Sequence, residues 1–199
     1  MSENPLERVA KLAAGPLGCP HREVTVRREV VPWLRRMRGY RATGPAGGQH
    51  VAGLLVVMPD GALTPPLVLA SEPVWDQLWD ASAVLRCEDL DPRTLPPAVL
   101  AEICRVTLGG PGGKLATPEL AQRELRDRDT YQALAPALVE PTVNTKGKQW
   151  TIWFTYVAPD GAVEGWVTEG SEQSVVKAGC QLLHPPEAWP MASGPMARR

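Results

Sequence analysis

The chain has 199 residues, of which 44% are hydrophobic and 22% charged, and its net charge is −1. That balance excludes wholesale disorder and a strong overall field, so a charged partner would have to be read by a local patch. No apolar stretch is long enough to span a bilayer, and the N-terminus lacks the basic-then-apolar layout of a secretory signal, which together point to a cytoplasmic protein without membrane contact.

The 21 prolines and 18 glycines imply many turns and short elements. Glu3 to Ala14 reads as a helix, with Ser2 as N-cap, Pro5 in the first turn and Gly15 behind its end. Its apolar face is Leu6, Val9, Ala10 and Ala13. The next segment, His21 to Arg41, carries seven arginines against two acids. Its β-branched residues suggest a strand that Pro32 ends or turns into a helical turn through Trp33, Leu34 and Met37. Tyr40 to Gln49 then reads as a polar, glycine-rich loop.

Arg27, Arg28, Trp33, Arg35, Arg36, Arg38, Tyr40 and Arg41 interleave basic and aromatic side chains. A single-stranded nucleic-acid surface uses that mixture, because arginine meets phosphate while rings stack on bases. The competing reading is charge pairing within the fold or between subunits. Glu72, Asp76, Asp80, Glu88, Asp89, Asp91 and Glu102 supply the acids for it.

Met58-Pro59-Asp60-Gly61-Ala62 lies between two apolar runs, Val51 to Val57 and Leu63 to Leu69, and predicts a bulged hairpin. Counting back from the turn opposes residues whose numbers sum to 120, so Leu55 faces Pro65 and Leu54 faces Pro66. Two successive prolines make the returning strand a sheet edge or an interrupted strand. Ser71 then caps a helix to about Val84 with Val74, Trp75, Leu78 and Trp79 on its stripe, and a second helix covers Ala98 to Leu108. The run Gly109 to Lys114 does not fit a phosphate loop. Leu108 stands where that loop needs glycine, and Leu115 where it needs Ser or Thr. It reads as a connector. Thr117 caps a charged helix that runs to about Ala133.

The second hairpin spans Gln149 to Val157 and Ala162 to Glu169, with opposed residues summing to 320. Trp150, Ile152, Phe154, Tyr156 and Trp166 fall on one side, and Trp153, Val157, Val163 and Val167 on the other. A ribbon apolar on both faces lies inside a fold or offers an aromatic surface, which makes Trp150, Trp153 and Trp166 candidate binding residues. Ser171 reads as the cap of a final helix carrying Val175, Val176, Ala178, Gly179 and Leu182, and the chain beyond Pro185 reads as mobile.

The two Pro-Asp-Gly turns lie one hundred residues apart, and each is followed in register by Ser-Glu. This predicts an α+β fold of two β-hairpin-plus-helix units, an internal duplication, with antiparallel sheet packed on helices. The units would be residues 1–110 and 116–186, as separate units or one compact domain, with a tail at 187–199. Trp153 to Val157, with Gly161, Gly165, Ser171 and Ala178, resembles the last strands and helix of a double-stranded-RNA-binding domain. Glu172 and Gln173 stand where that family carries phosphate-gripping lysines, so its function does not carry over.

No specific catalytic set is present: the Gly-x-Ser-x-Gly, His-x-x-x-His, Cys-x-x-Cys and dinucleotide patterns are all absent. Cys19, His21, Cys180 and His184 are the only candidate metal ligands, and buried thiols with exposed histidines are the simpler expectation. The resulting expectation is a non-catalytic binding or adaptor protein without cofactor or metal, acting through a protein partner or as a homo-oligomer. The alternatives are a nucleic-acid accessory protein using residues 22–41 and an enzyme with an unrecognised site.

Overall fold

The structure, a computed structural model, describes residues 4–45, 53–59, 67–69, 78–108, 113–158 and 160–190. Ser71, Trp75, the first Pro-Asp-Gly turn, the 109–112 connector and the last nine residues, for which the sequence gives expectations, lie outside them.

The fold is α+β, with two antiparallel sheets packed with helices. Helix α1 (Pro5–Leu17) starts at Asn4, whose side chain accepts the Leu6 N–H, rather than at Ser2. It runs through Gly15 because Gly18 takes the left-handed position (φ 63°) that ends it. Val9 and Ala13 are fully buried on the first sheet, together with Ala42 and Val56.

That sheet is a meander of β1 (Thr25–Glu29), β2 (Met37–Thr43), β3 (Gly53–Pro59) and β4 (Leu67–Leu69). Residues 40–43 are therefore strand, not loop: β2 is paired on both sides, and tertiary pairing overrides its weak local signal. The β3–β4 register also departs from expectation, because Leu55 pairs with Leu69 rather than Pro65. The short β4 does form the sheet edge.

Helices α2 (Leu78–Cys87) and α3 (Pro97–Leu108) come next, then the short β5 (Lys114–Leu115). The single helix expected from Thr117 to Ala133 is two, α4 (Pro118–Glu124) and α5 (Arg128–Leu134). The break at Leu125–Asp127 follows from Asp127, which caps α5 by accepting the Thr130 N–H at 2.8 Å. The second sheet holds β5, β6 (Thr142–Lys146), β7 (Gln149–Val157), β8 (Val163–Ser171) and β9 (Ser174–His184). Its order is β5-β7-β8-β9, with β6 on the far end of the same β7 edge.

Strands β7 and β8 pair in the register summing to 320, with Phe154 opposite Trp166. The segment after them, Ser174–His184, is a strand rather than the expected helix. Ser171 pairs with Ser174 across a two-residue turn in which Glu172 is left-handed (φ 52°). Contacts from the neighbouring strands fix that turn: the Trp150 Nε1–H donates to the Glu172 carbonyl at 2.9 Å, and the Glu172 N–H donates to Lys148. Trp150 also lies over its partner Gly170, where any Cβ would meet the indole at 2.2 Å. The two halves therefore differ both in hairpin register and in the element after the hairpin, the helix α2 in one and the strand β9 in the other.

The main core joins both sides of residue 110. Trp33 and Met37 meet α2, α3 and the inner residues Trp150, Ile152, Phe154, Tyr156 and Trp166. A second core lies under α4 and α5 around Trp189, which is fully buried. The chain from 187 to 190 is therefore strapped down, not mobile. The Trp189 N–H donates to Gly161, whose positive φ (83°) lets the strap pass.

Helix α2 ends in a Schellman arrangement: Leu90 N–H donates to Leu85, Asp89 N–H donates to Arg86, and Asp89 is left-handed (φ 54°). This delivers Glu88 to the loop before β2. Its buried carboxylate accepts the N–H groups of Arg35 (2.7 Å), Arg36 (2.9 Å) and Met37 (2.7 Å). Hydrogen bonds to a charged group are among the stronger polar contacts. Replacing Glu88 by Ala is expected to lower unfolding free energy by about 2–4 kcal/mol in urea titration. Asp89→Asn, which removes only the exposed pair with Arg36, should change it by less than about 1 kcal/mol.

Candidate binding groove on the second sheet

Among the described residues, the outer face of the second sheet is covered at one end only. Val157 and Val163 lie under α4, α5 and Trp189. Beyond them a concavity of about 760 Å³ opens between the segment 137–142 and strand β9. The near wall is fixed by Thr155, whose buried hydroxyl accepts the Val139 N–H at 3.2 Å and lies 3.3 Å from the Ala137 carbonyl as donor. Trp153 stands in the groove at 38% exposure, opposite Val167 in register, and Val139 is 45% exposed above it.

The floor is low because two strand positions carry no side chain. Gly165 and Gly179 are diagonal neighbours, Gly165 pairing with Gln181 and Gly179 with Val167. A Cβ at Gly165 would touch Leu183 at 3.3 Å, whereas one at Gly179 would meet nothing within 4 Å. A glycine with open space above it, in the interior of a strand, leaves room for another chain or ligand. Glu169 and Lys177 face each other across β8 and β9, and Glu140 is exposed on the near rim, so acids outnumber bases around the groove.

The three tryptophans of the hairpin divide between two environments. Trp150 and Trp166 are buried in the main core, Trp166 also bordering the groove floor, whereas Trp153 is exposed within the groove. The Trp166 Nε1–H donates to the Glu164 carboxylate at 2.8 Å, and its ring stacks on Phe154 at 6.2 Å and meets Tyr156 edge-on at 6.3 Å. Burial pushes the Tyr156 hydroxyl to about 12 and the Cys104 thiol likewise to about 12, which leaves both protonated.

The basic segment is spread over two sheet faces and a loop. Arg27 and Arg41 are opposite each other on one face, where Arg41 holds Glu29 in two hydrogen bonds of 3.1 and 3.2 Å. Arg28 and Tyr40 are opposite each other on the other face, which Arg38 shares by strand alternation. Arg35 and Arg36 sit on the exposed loop above Glu88 and Asp89, with Arg36 pairing to Asp89 at 3.2 Å. Trp33 is buried in the main core and Tyr40 is half-buried against the α1 side. Glu88 and Asp89, two of the acids expected to meet this segment, do meet it.

Cys19 and His21 follow α1, while Cys180 and His184 lie on β9. Among the described residues no group of three or more His, Cys, Asp or Glu side chains converges on a metal-sized site. No helix among them is long and apolar enough to cross a membrane. Compared with known protein families, with curated proteins and with solved structures, the chain matches none.

Several groove residues escaped the sequence reading: Val139, Glu140, Lys177, Gly179, Gln181 and Leu183. A helical reading of 174–184 puts these β9 positions on the wrong faces, and nothing local marks 137–142 as a wall. The available signal was Gly165, which falls inside the run Val163 to Thr168.

The Glu29 contact gives an acid-range expectation. The Arg41 hydrogen bond, opposed by burial and aided by the charges of Arg41 and Arg27, holds the Glu29 carboxyl below its ordinary 4.5. A lowered folded value contributes stability above the ordinary range, and that stability is lost as pH falls through the folded value. Urea midpoints measured from neutral pH to about pH 3 should therefore fall less steeply for Glu29→Gln than for the native chain.

Proposed function

We propose that this chain is a non-catalytic binding or adaptor protein whose second-sheet groove takes an extended segment of a partner protein. The observation that carries the reading is the part of an otherwise packed sheet face that the described residues leave uncovered. There Trp153 and Val139 flank a floor left open at Gly179. Grooves of this volume lined by apolar and aromatic side chains with a few polar groups are the usual form of a binding site. The surplus of acid around it, Glu140 and Glu169 against Lys177, favours a segment that carries apolar side chains and a positive charge. The four unpaired thiols support a reducing, cytoplasmic setting.

Nucleic-acid binding through residues 22–41 is the second reading, favoured by the exposure of Arg28, Arg35, Arg36 and Arg38. It has weaker support, because Trp33 is buried and Arg27 and Arg41 are drawn to Glu29.

A photoreactive residue at Val139 and, separately, at Arg28 tests the two readings in cells. The expected result is a polypeptide adduct from position 139 that disappears when Gly179→Leu fills the groove. Circular dichroism should report the same fold for that variant, since its Cβ meets open space. Nuclease-sensitive adducts from position 28 with none from 139, or 139 adducts indifferent to Gly179→Leu, would overturn the proposal.

A further inference from the structure

Strand β9 ends the second sheet, and among the described residues no strand pairs with its outer edge. Its backbone orientation follows from the ladder. Ala158 N–H donates to Ala162 across the β7–β8 turn, and hydrogen-bonded pairs alternate from there, so Phe154–Trp166 and Ile152–Thr168 are bonded pairs. Both backbone groups of Trp166 thus point to β7, and its β9 partner Cys180 turns its own N–H and C=O outward. The same holds for Ala178 opposite Thr168 and Leu182 opposite Glu164. Val175 confirms the phase: its outward N–H is taken by the Ser82 hydroxyl of α2 at 2.8 Å. Helix α2 closes the edge there and leaves the following residues open.

Among the described residues, this stretch has none of the usual protections. From Lys177 to His184 it contains no proline, and its one full charge, Lys177, lies on the groove face beside Glu169. Natural edges carry charge, proline or cover because bare ones pair with other chains. Here the residues with outward backbone groups also form an apolar row, Ala178, Cys180 and Leu182, in which Cys180 is exposed and Leu182 is 57% exposed.

We infer that two copies of the chain pair through β9 edges, antiparallel about a two-fold axis at Cys180. That register matches outward backbone groups with outward backbone groups. It sets Leu182 of each copy against the small Ala178 of the other and keeps the two Lys177 ammonium groups from facing one another. Such an isologous contact is the commonest form of self-association. It runs both second sheets into one and joins the two grooves, each floored by β8 and β9, into a single trough. The inference stands on the edge alone and does not depend on what the groove binds.

Sedimentation velocity over a range of concentrations tests it. A concentration-dependent dimer is expected, and Leu182→Lys should weaken it at least tenfold. Cys180→Pro should do the same, because it removes an N–H that points away from β8, while Cys180→Ser should leave the dimer intact. Circular dichroism and thermal unfolding identify variants that keep the fold. A monomer at every concentration, or a dimer indifferent to a folded Leu182→Lys or Cys180→Pro variant, would overturn the inference. A missing dimer with the Val139 adduct retained separates its failure from that of the groove reading, and the converse result separates the opposite case.

Discussion

Glu88 occupies an unfavourable place for a carboxylate, just past the C-terminus of α2, where the helix dipole presents negative charge. Three successive backbone N–H groups, from Arg35 to Met37, offset that cost and the cost of burial together. The geometry works only because Asp89 accepts a left-handed conformation and turns the chain at the helix end. The same loop places Trp33 and Met37 in the core shared by α2, α3 and the second sheet. Trp33 enters with its Nε1–H unpaired among the described residues, a cost of about 1–3 kcal/mol that packing and the Glu88 contacts must exceed. The exposed Arg36–Asp89 pair beside it is worth far less. One carboxylate therefore sets where the first sheet sits relative to the helices, and so how the main core closes.

The second sheet depends on that closure. Its inner face is filled by α2, α3 and the 31–37 loop, which commits Trp150, Phe154, Tyr156 and Trp166 to packing. Among the described residues, the outer face is filled only where α4, α5 and the Trp189 strap reach it. Lys114 lies over the Trp189 ring at 5.3 Å, and Glu124 accepts from both Lys114 and the Trp189 Nε1–H, so the strap is anchored at the covered end. What is left is a groove and a bare edge on adjoining parts of one surface. Both features arise from the same shortage of covering elements among the described residues, and an extended polypeptide is the occupant proposed for each.

The sequence was most legible where one turn dictated geometry. Pro159-Asp160-Gly161 set the β7–β8 register residue by residue, and alternation then sorted Trp150 from Trp153. The same motif at residue 59 did not yield the β3–β4 register. Helix faces were readable from spacing, as Val9 and Ala13 illustrate. The strand β9 was not, because valines and small residues suit either period and the decision rests on Trp150 and Lys148 holding Glu172 in a turn. Once β9 is misread, the groove floor and the edge are invisible. Glu88 was recognised only as one acid among seven, since its partners are backbone groups rather than arginine side chains.

Native-state amide hydrogen exchange along a denaturant series tests the central claim, that the Glu88 contacts tie the first sheet to the shared core. The amides of Arg35, Arg36 and Met37 are expected to open with the same free energy and denaturant dependence as those of Ile152 and Phe154 in β7. Exchange of the three by local opening, orders of magnitude faster than β7 and insensitive to denaturant, would contradict it.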